Sequence, residues 1–197
     1  MTKDRIVINP PVLADGRDQK SRVAGQANDS TYAGLQLNPA GIPDALKSLR
    51  RFVVYRLAKK EGKPGKRDKV PYQPDHPSRK ASTKEPGTWG TFEKALEVYT
   101  TRRADGVGFV LTDSESIIAI DLDNCIDANG ELSETASEIV EALPGYWEIS
   151  PSGRGIHGIF KGSLPGTDIV NNNSGVEMYG GGSARFITLT GQLWGGK

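Results

Sequence analysis

Residues 117 to 125 read IIAIDLDNC, an apolar run carrying two carboxylates, Asp121 and Asp123, two positions apart. On a strand, the period of two places Ile118, Ile120 and Leu122 on one face and Ala119, Asp121 and Asp123 on the other. At a rise of about 3.3 Å per residue the acids lie ~6 to 7 Å apart, close enough for their oxygens to bracket divalent cations. Like charges at this spacing repel, so keeping both ionised calls for a metal or a basic partner. Residues 104 to 148 contain no Lys or Arg, which favours the metal. The same pair also reads as a strand end meeting water before the turn NCIDANG, and DANGE within it lacks the spacing of an EF-hand calcium loop.

A second chemical stretch, SPSGRGIHGIF at residues 150 to 160, contains Gly153, Gly155 and Gly158 in the order G-x-G-x-x-G. A dinucleotide turn of this form must open a helix, yet the next stretch, GIHGIFKGSLPG, is glycine-punctuated and strand-like, and no Lys-[ST] comes after the glycines to make a Walker A loop. The expectation is a tight strand-to-strand turn in which Ser152, the glycine N–H groups, Arg154 and His157 can hold phosphate oxygens. A plain hairpin with His157 beside Ile159 fits the stretch as well. Further on, Glu177 interrupts the apolar strand GVEMYGG, and Arg185 begins RFITLTG.

Several elements must position these groups. A short helix is expected from Pro43, a strand over FVVYRL, a basic loop over AKKEGKPGKRDK, and a helix over TFEKALEVYTTRR with apolar spacing at Phe92, Ala95, Leu96 and Tyr99. VPYQPDHPSRKAST has too many prolines for a central strand. Then come strands over GVGFVLT and SIIAIDLD, a helix over SETASEIVEALP with Ser133 as N-cap, and strands over YWEIS, GIHGIFKG, GVEMYGG and RFITLTG. The fold class is therefore α/β (α+β) and β-rich. Residues 1 to 40 read as a flexible leader, 41 to 103 as a basic αβ module, and 104 to 197 as a β-sheet module carrying the acids. The abrupt end at TGQLWGGK suggests a domain excised from a longer polypeptide.

The chain has 197 residues, 36% hydrophobic and 25% charged, enough for one domain of two lobes. No apolar run reaches the roughly 18 residues of a membrane span, so the expectation is a cytoplasmic protein without a membrane partner. One cysteine, Cys125, and two distant histidines, His76 and His157, make a poor zinc site. The net charge of +1 hides an asymmetry: residues 47 to 103 hold 16 Lys and Arg against 6 Asp and Glu, whereas residues 104 to 148 hold 11 acids. A basic block beside an acidic one suits a polyanion-binding surface next to a cation-requiring site, although two solvated faces would look the same.

In order, hhhD-h-D, S-P-S-G-x-G-x-H, h-E-M-Y and R-F-h-T-h-T-G resemble the primase-polymerase domain of the archaeo-eukaryotic primase superfamily, in its phage and plasmid branch. The resemblance extends upstream through FVVYRL, KVPYQP, STKEPGTWGTFEKALEVY and GVGFVLT, over roughly residues 50 to 191. It implies a two-lobed core, a small basic αβ lobe and an RRM-like sheet lobe, and template-directed nucleotidyl transfer by two divalent ions, Mg or Mn. Asp121, Asp123 and Glu177 would hold the metals, with Glu177 where many members have Asp. His157 would contact the incoming nucleoside triphosphate, assisted by Arg185, Ser152 and Arg154. Lys59, Lys60, Lys63, Lys66, Arg67 and Lys69 are candidates for a track binding single-stranded DNA template and primer, with Tyr72 and Trp89 as stacking groups. A helicase region or helical priming segment beyond Lys197 is an expected partner. A metal-dependent nuclease and a catalytically silent DNA-binding domain are the alternatives.

Overall fold

In the computed structural model, residues 35–63, 65–112, 116–164, 168–171 and 174–195 are described. Most of the expected leader, residues 1 to 34, lies outside them. Its end does not hang free: Leu35 N–H donates to the Pro151 carbonyl at 3.3 Å and Asn38 N–H to Thr190 at 2.7 Å.

Among the described residues two antiparallel sheets form the body. The first has the order β2-β1-β3-β9, from β1 (Phe52–Lys59), β2 (Arg67–Tyr72), β3 (Gly106–Val110) and β9 (Phe186–Leu189). The second has the order β5-β6-β4-β8-β7, from β4 (Ile117–Leu122), β5 (Tyr146–Ile149), β6 (Ile156–Lys161), β7 (Ile169–Asn171) and β8 (Val176–Tyr179). Strand pairing therefore crosses the boundary expected at residues 103 and 104, because β3 and β9 complete the sheet that β1 and β2 begin. The first half of β2, Arg67 to Lys69, was expected to belong to the basic loop, and the rest to be no central strand. Its Pro71 lacks an N–H, which an edge strand tolerates, and β2 is an edge.

Among the described residues three α-helices pack on the sheets: α1 (Asp44–Lys47), α2 (Phe92–Thr100) and α3 (Glu134–Ala142). Thr91 and Ser133 cap α2 and α3 by accepting from Lys94 N–H and Ala136 N–H. α2 turns Phe92, Ala95 and Val98 onto the face of the first sheet that carries Phe52, Val54, Val107, Phe109, Ile187 and Leu189. This core continues into Ala119, Tyr146, Ile159 and Tyr179 of the second sheet. On the far side of that sheet, Ile120, Leu122, Trp147, Ile156 and Phe160 pack against Ala136 of α3. Both faces of β4 are thus covered. The face bearing Ala119 and Asp121 was expected only to carry the acids, yet it is part of the larger core until the row of Asp121.

The seam between the sheets is made by β9 and the segment after it. Ile149 N–H donates to Gln192 and Trp194 N–H to Trp147, which lays residues 192–194 along the open edge of β5. The chain reaches that edge by turning at Gly191, whose φ of +63° is left-handed and where a Cβ would collide with the Asn38 carbonyl oxygen. Gly191→Ala is expected to destabilise the protein by at least about 2 kcal/mol, roughly 4 to 8 °C in Tm for a chain of this size, read by thermal and denaturant unfolding.

Candidate active site

Backbone register builds the site. On β4, Asp121 stands opposite His157 of β6 and opposite Glu177 of β8, and His157 stands opposite Glu148 of β5. Directly opposed residues share a face, so Glu148, His157, Asp121 and Glu177 form one row across four strands. Asp123 follows immediately after β4, exposed, its N–H donating to Gly175 at 2.8 Å. Asp121, Asp123, His157 and Glu177, scattered over 57 residues of sequence, are brought together at this end of β4.

At Asp121 the row borders a cleft of about 450 Å³, lined by Asp121 and Tyr179 from the second sheet, by Lys69, Pro71 and Thr188 from the first, and by Arg185 just before β9. Lys69 reaches across the first sheet over the ring of Tyr55, and its Nζ donates to Thr188 Oγ1 at 3.2 Å. It therefore stands at the acids, apart from the basic hairpin with which the sequence grouped it. Arg185 lies over the Tyr179 ring at 4.6 Å with its Nε 3.6 Å from Asp168, and half of its side chain is exposed at the cleft mouth.

His157 is only 3% exposed. Its Nδ1 lies 2.9 Å from the Thr188 carbonyl oxygen, which can only accept, so Nδ1 carries the hydrogen. Nε2 consequently faces Asp121, 3.5 Å from Oδ1. Glu148, which sequence reasoning did not select, lies behind the ring with Oε1 3.4 Å from Nδ1. It accepts from Thr190 N–H, Gly191 N–H and the Tyr146 hydroxyl. The available signal was the one that singled out Glu177: a carboxylate inside a short apolar strand, YWEIS.

Electrostatics tie these groups together. Burial raises the Asp121 pKa and Asp123 adds to the rise, while His157 and Lys69 oppose it. Glu177 is raised by desolvation and by its acidic neighbours, against Arg185. Lys69 is lowered by burial, partly offset by Asp121 and Asp123. For His157, burial alone would lower the pKa, but Glu148 and Asp121 outweigh it and the net direction is upward.

The other expected residues are placed elsewhere. Ser152 and Arg154 are exposed on their turn, where Ser152 Oγ meets Ser150 Oγ at 2.9 Å and accepts from Arg154 N–H. Pro151 of that turn borders a neighbouring cleft of about 670 Å³ that also contains Arg102 and shares Lys69 as a wall. Lys59, Lys60, Lys63, Lys66 and Arg67 surround a surface recess on the β1–β2 hairpin. Tyr72 is packed on the core with the Arg56 guanidinium 4.5 Å above its ring, and Trp89 is buried with its indole N–H on the Ser82 carbonyl. The Trp89 ring is not free to stack on a base.

A cation suits the carboxylates. Asp121 Oδ1 is buried without a hydrogen-bond partner, and the two upward-shifted acids repel each other and Asp123. Among the described residues no three His, Cys, Asp or Glu side chains are gathered tightly enough to enclose an ion, so Asp123 and Glu177, both solvent-accessible, would have to turn inward. An acid whose folded pKa is raised stabilises the fold below its unfolded pKa and loses that contribution as pH rises through the folded value. Asp121→Asn is therefore expected to raise the Tm of the metal-free protein at pH 7 and to remove the stabilisation that Mn or Mg gives the wild type, both read by thermal unfolding.

No protein-family profile matches the chain. It is similar to a DNA primase-polymerase of Nitratiruptor phage NrS-1, 36% identical over an alignment of 161 positions, with 78% of this chain and 21% of the relative covered. The chain spans about a fifth of that relative's length.

Proposed function

We propose that this chain carries out template-directed nucleotidyl transfer, as a DNA primase-polymerase core of the archaeo-eukaryotic primase kind. The observation that carries this reading is the row of Asp121, His157 and Glu177 on the second sheet, whose member Asp121 lines a cleft that Lys69 and Arg185 also line. An acid and two cations on one cleft, with Asp123 and Glu177 beside that acid, match a triphosphate with its divalent ions. The similarity to the phage primase-polymerase, and the absence among the described residues of any helix long and apolar enough to cross a membrane, agree with it.

In this reading a primer 3′-hydroxyl, or the hydroxyl of a first nucleotide, attacks the α-phosphate of a bound nucleoside triphosphate and pyrophosphate leaves. Two divalent ions, Mg or Mn, held by Asp121, Asp123 and Glu177, would ease deprotonation of the hydroxyl and offset charge on the leaving oxygens. Lys69 and Arg185 neutralise the triphosphate, and His157 orients it through Nε2. The longer arm of Glu177, compared with Asp, bears on the choice between Mg and Mn. Ser152 and Arg154, beside the neighbouring cleft, contact phosphate farther from the acids. The hairpin cations Lys63, Lys66 and Arg67 follow the backbone of a single-stranded template or primer. A helicase region or helical priming segment on a longer polypeptide would supply strand separation and priming.

Labelled nucleotides offered with primed and unprimed single-stranded templates test the site. Asp121→Ala with Asp123→Ala is expected to lower incorporation at least about a thousandfold, and intact incorporation refutes the assignment. Degradation of labelled DNA without nucleotides would select a nuclease instead. Replacing Lys63, Lys66 and Arg67 together by Ala should flatten the slope of log affinity for single-stranded DNA against log salt by about 2, from roughly 0.7 per phosphate contact.

A further inference from the structure

Among the described residues, Glu148 is the only carboxylate that is fully buried, at 0% exposure. Such a placement is costly unless every acceptor position is used. Thr190 N–H donates to it at 3.1 Å and Gly191 N–H at 2.7 Å, the Tyr146 hydroxyl donates from its own strand, and the remaining side faces His157 Nδ1. The other group on Nδ1 is the Thr188 carbonyl, two residues before the first of those N–H donors. Both supports of the imidazole are thus governed by one side chain: Glu148 faces the ring directly and grips the backbone that carries the Thr188 carbonyl. With Nδ1 occupied on that side, Nε2 has one direction left, toward Asp121.

We propose that Glu148 is a positioning residue, which sets the His157 ring so that Nε2 faces Asp121 at the nucleotide cleft. It touches neither nucleotide nor metal. Glutamine at this position keeps the shape but sets an NH₂ group against N–H donors, so one support of the ring must give way. The inference rests on the proposed nucleotidyl transfer only for its effect on nucleotide affinity.

The test uses the intact chain with ¹⁵N-labelled histidine, His76→Gln serving to assign the His157 ring signals. In Glu148→Gln the His157 Nδ1 and Nε2 signals are expected to shift or broaden, and nucleotide affinity in Mn to fall about tenfold, as in His157→Ala. The double variant should lose no more than either single one, because both act through the same ring. If Glu148→Gln fails to fold, Tyr146→Phe removes one donor to Glu148 and is expected to move the same signals by less. Unchanged ring signals in these variants, or losses that add in the double variant, overturn the proposal. Displaced ring signals with nucleotide affinity unchanged in both Glu148→Gln and His157→Ala would leave the positioning standing and refute the nucleotide role of His157.

Discussion

A buried carboxylate, Glu148, holds the end of β9 and the turn after it against the second sheet through the N–H groups of Thr190 and Gly191. Hydrogen bonds to a charged acceptor contribute about 1.5 to 3 kcal/mol each, and leaving such a charge without its donors costs more than that. The tie decides where β9 lies, and β9 decides most of what surrounds the acids. Its residues Ile187 and Leu189 face the core, while Thr188 turns its carbonyl to His157 and its hydroxyl to Lys69. Moving β9 would displace the imidazole and the lysine together.

Charge placement around this seam runs against stability. Asp121 has one oxygen without a hydrogen bond, two acids on the second sheet are shifted upward by burial and by each other, and Lys69 is partly desolvated above them. Apolar packing on both faces of β4, from Ala119 and Ile159 on one side and Ile120 and Trp147 on the other, keeps the row in place despite that repulsion. An arrangement so unfavourable in isolation is what a site for a cation and a polyphosphate requires, because the ligands supply the missing partners.

Much of the architecture was legible because its signals are local. Runs rich in β-branched and aromatic residues located β1, β3, β4, β5, β6, β8 and β9, while apolar spacing from Phe92 and the N-cap Ser133 announced two helices. β2 was missed because its sequence, RDKVPY, is mostly charged and contains a proline, features that an edge strand accommodates but that no apolar period marks. Residues 35 to 40 were assigned to a leader because their backbone partners, Pro151 and Thr190, lie more than a hundred residues away. Trp89 has the composition of a stacking group, and only the packing around it shows that its ring is already covered.

For the site, residue types and spacing marked the candidates one by one, Asp121 and Asp123 at a strand's two-residue interval, His157 after a turn that could not open a helix and Glu177 breaking an apolar strand, and the family resemblance grouped them. Alternation along a strand is a local property, so the face each side chain takes can be read residue by residue. Which strands lie side by side is a long-range choice, made by burial and backbone pairing over the whole chain. That choice put Glu148, His157, Asp121 and Glu177 in one row. It also drew Lys69 away from its neighbours in the basic hairpin to the acids, and gave the unremarked Glu148 its place behind the histidine.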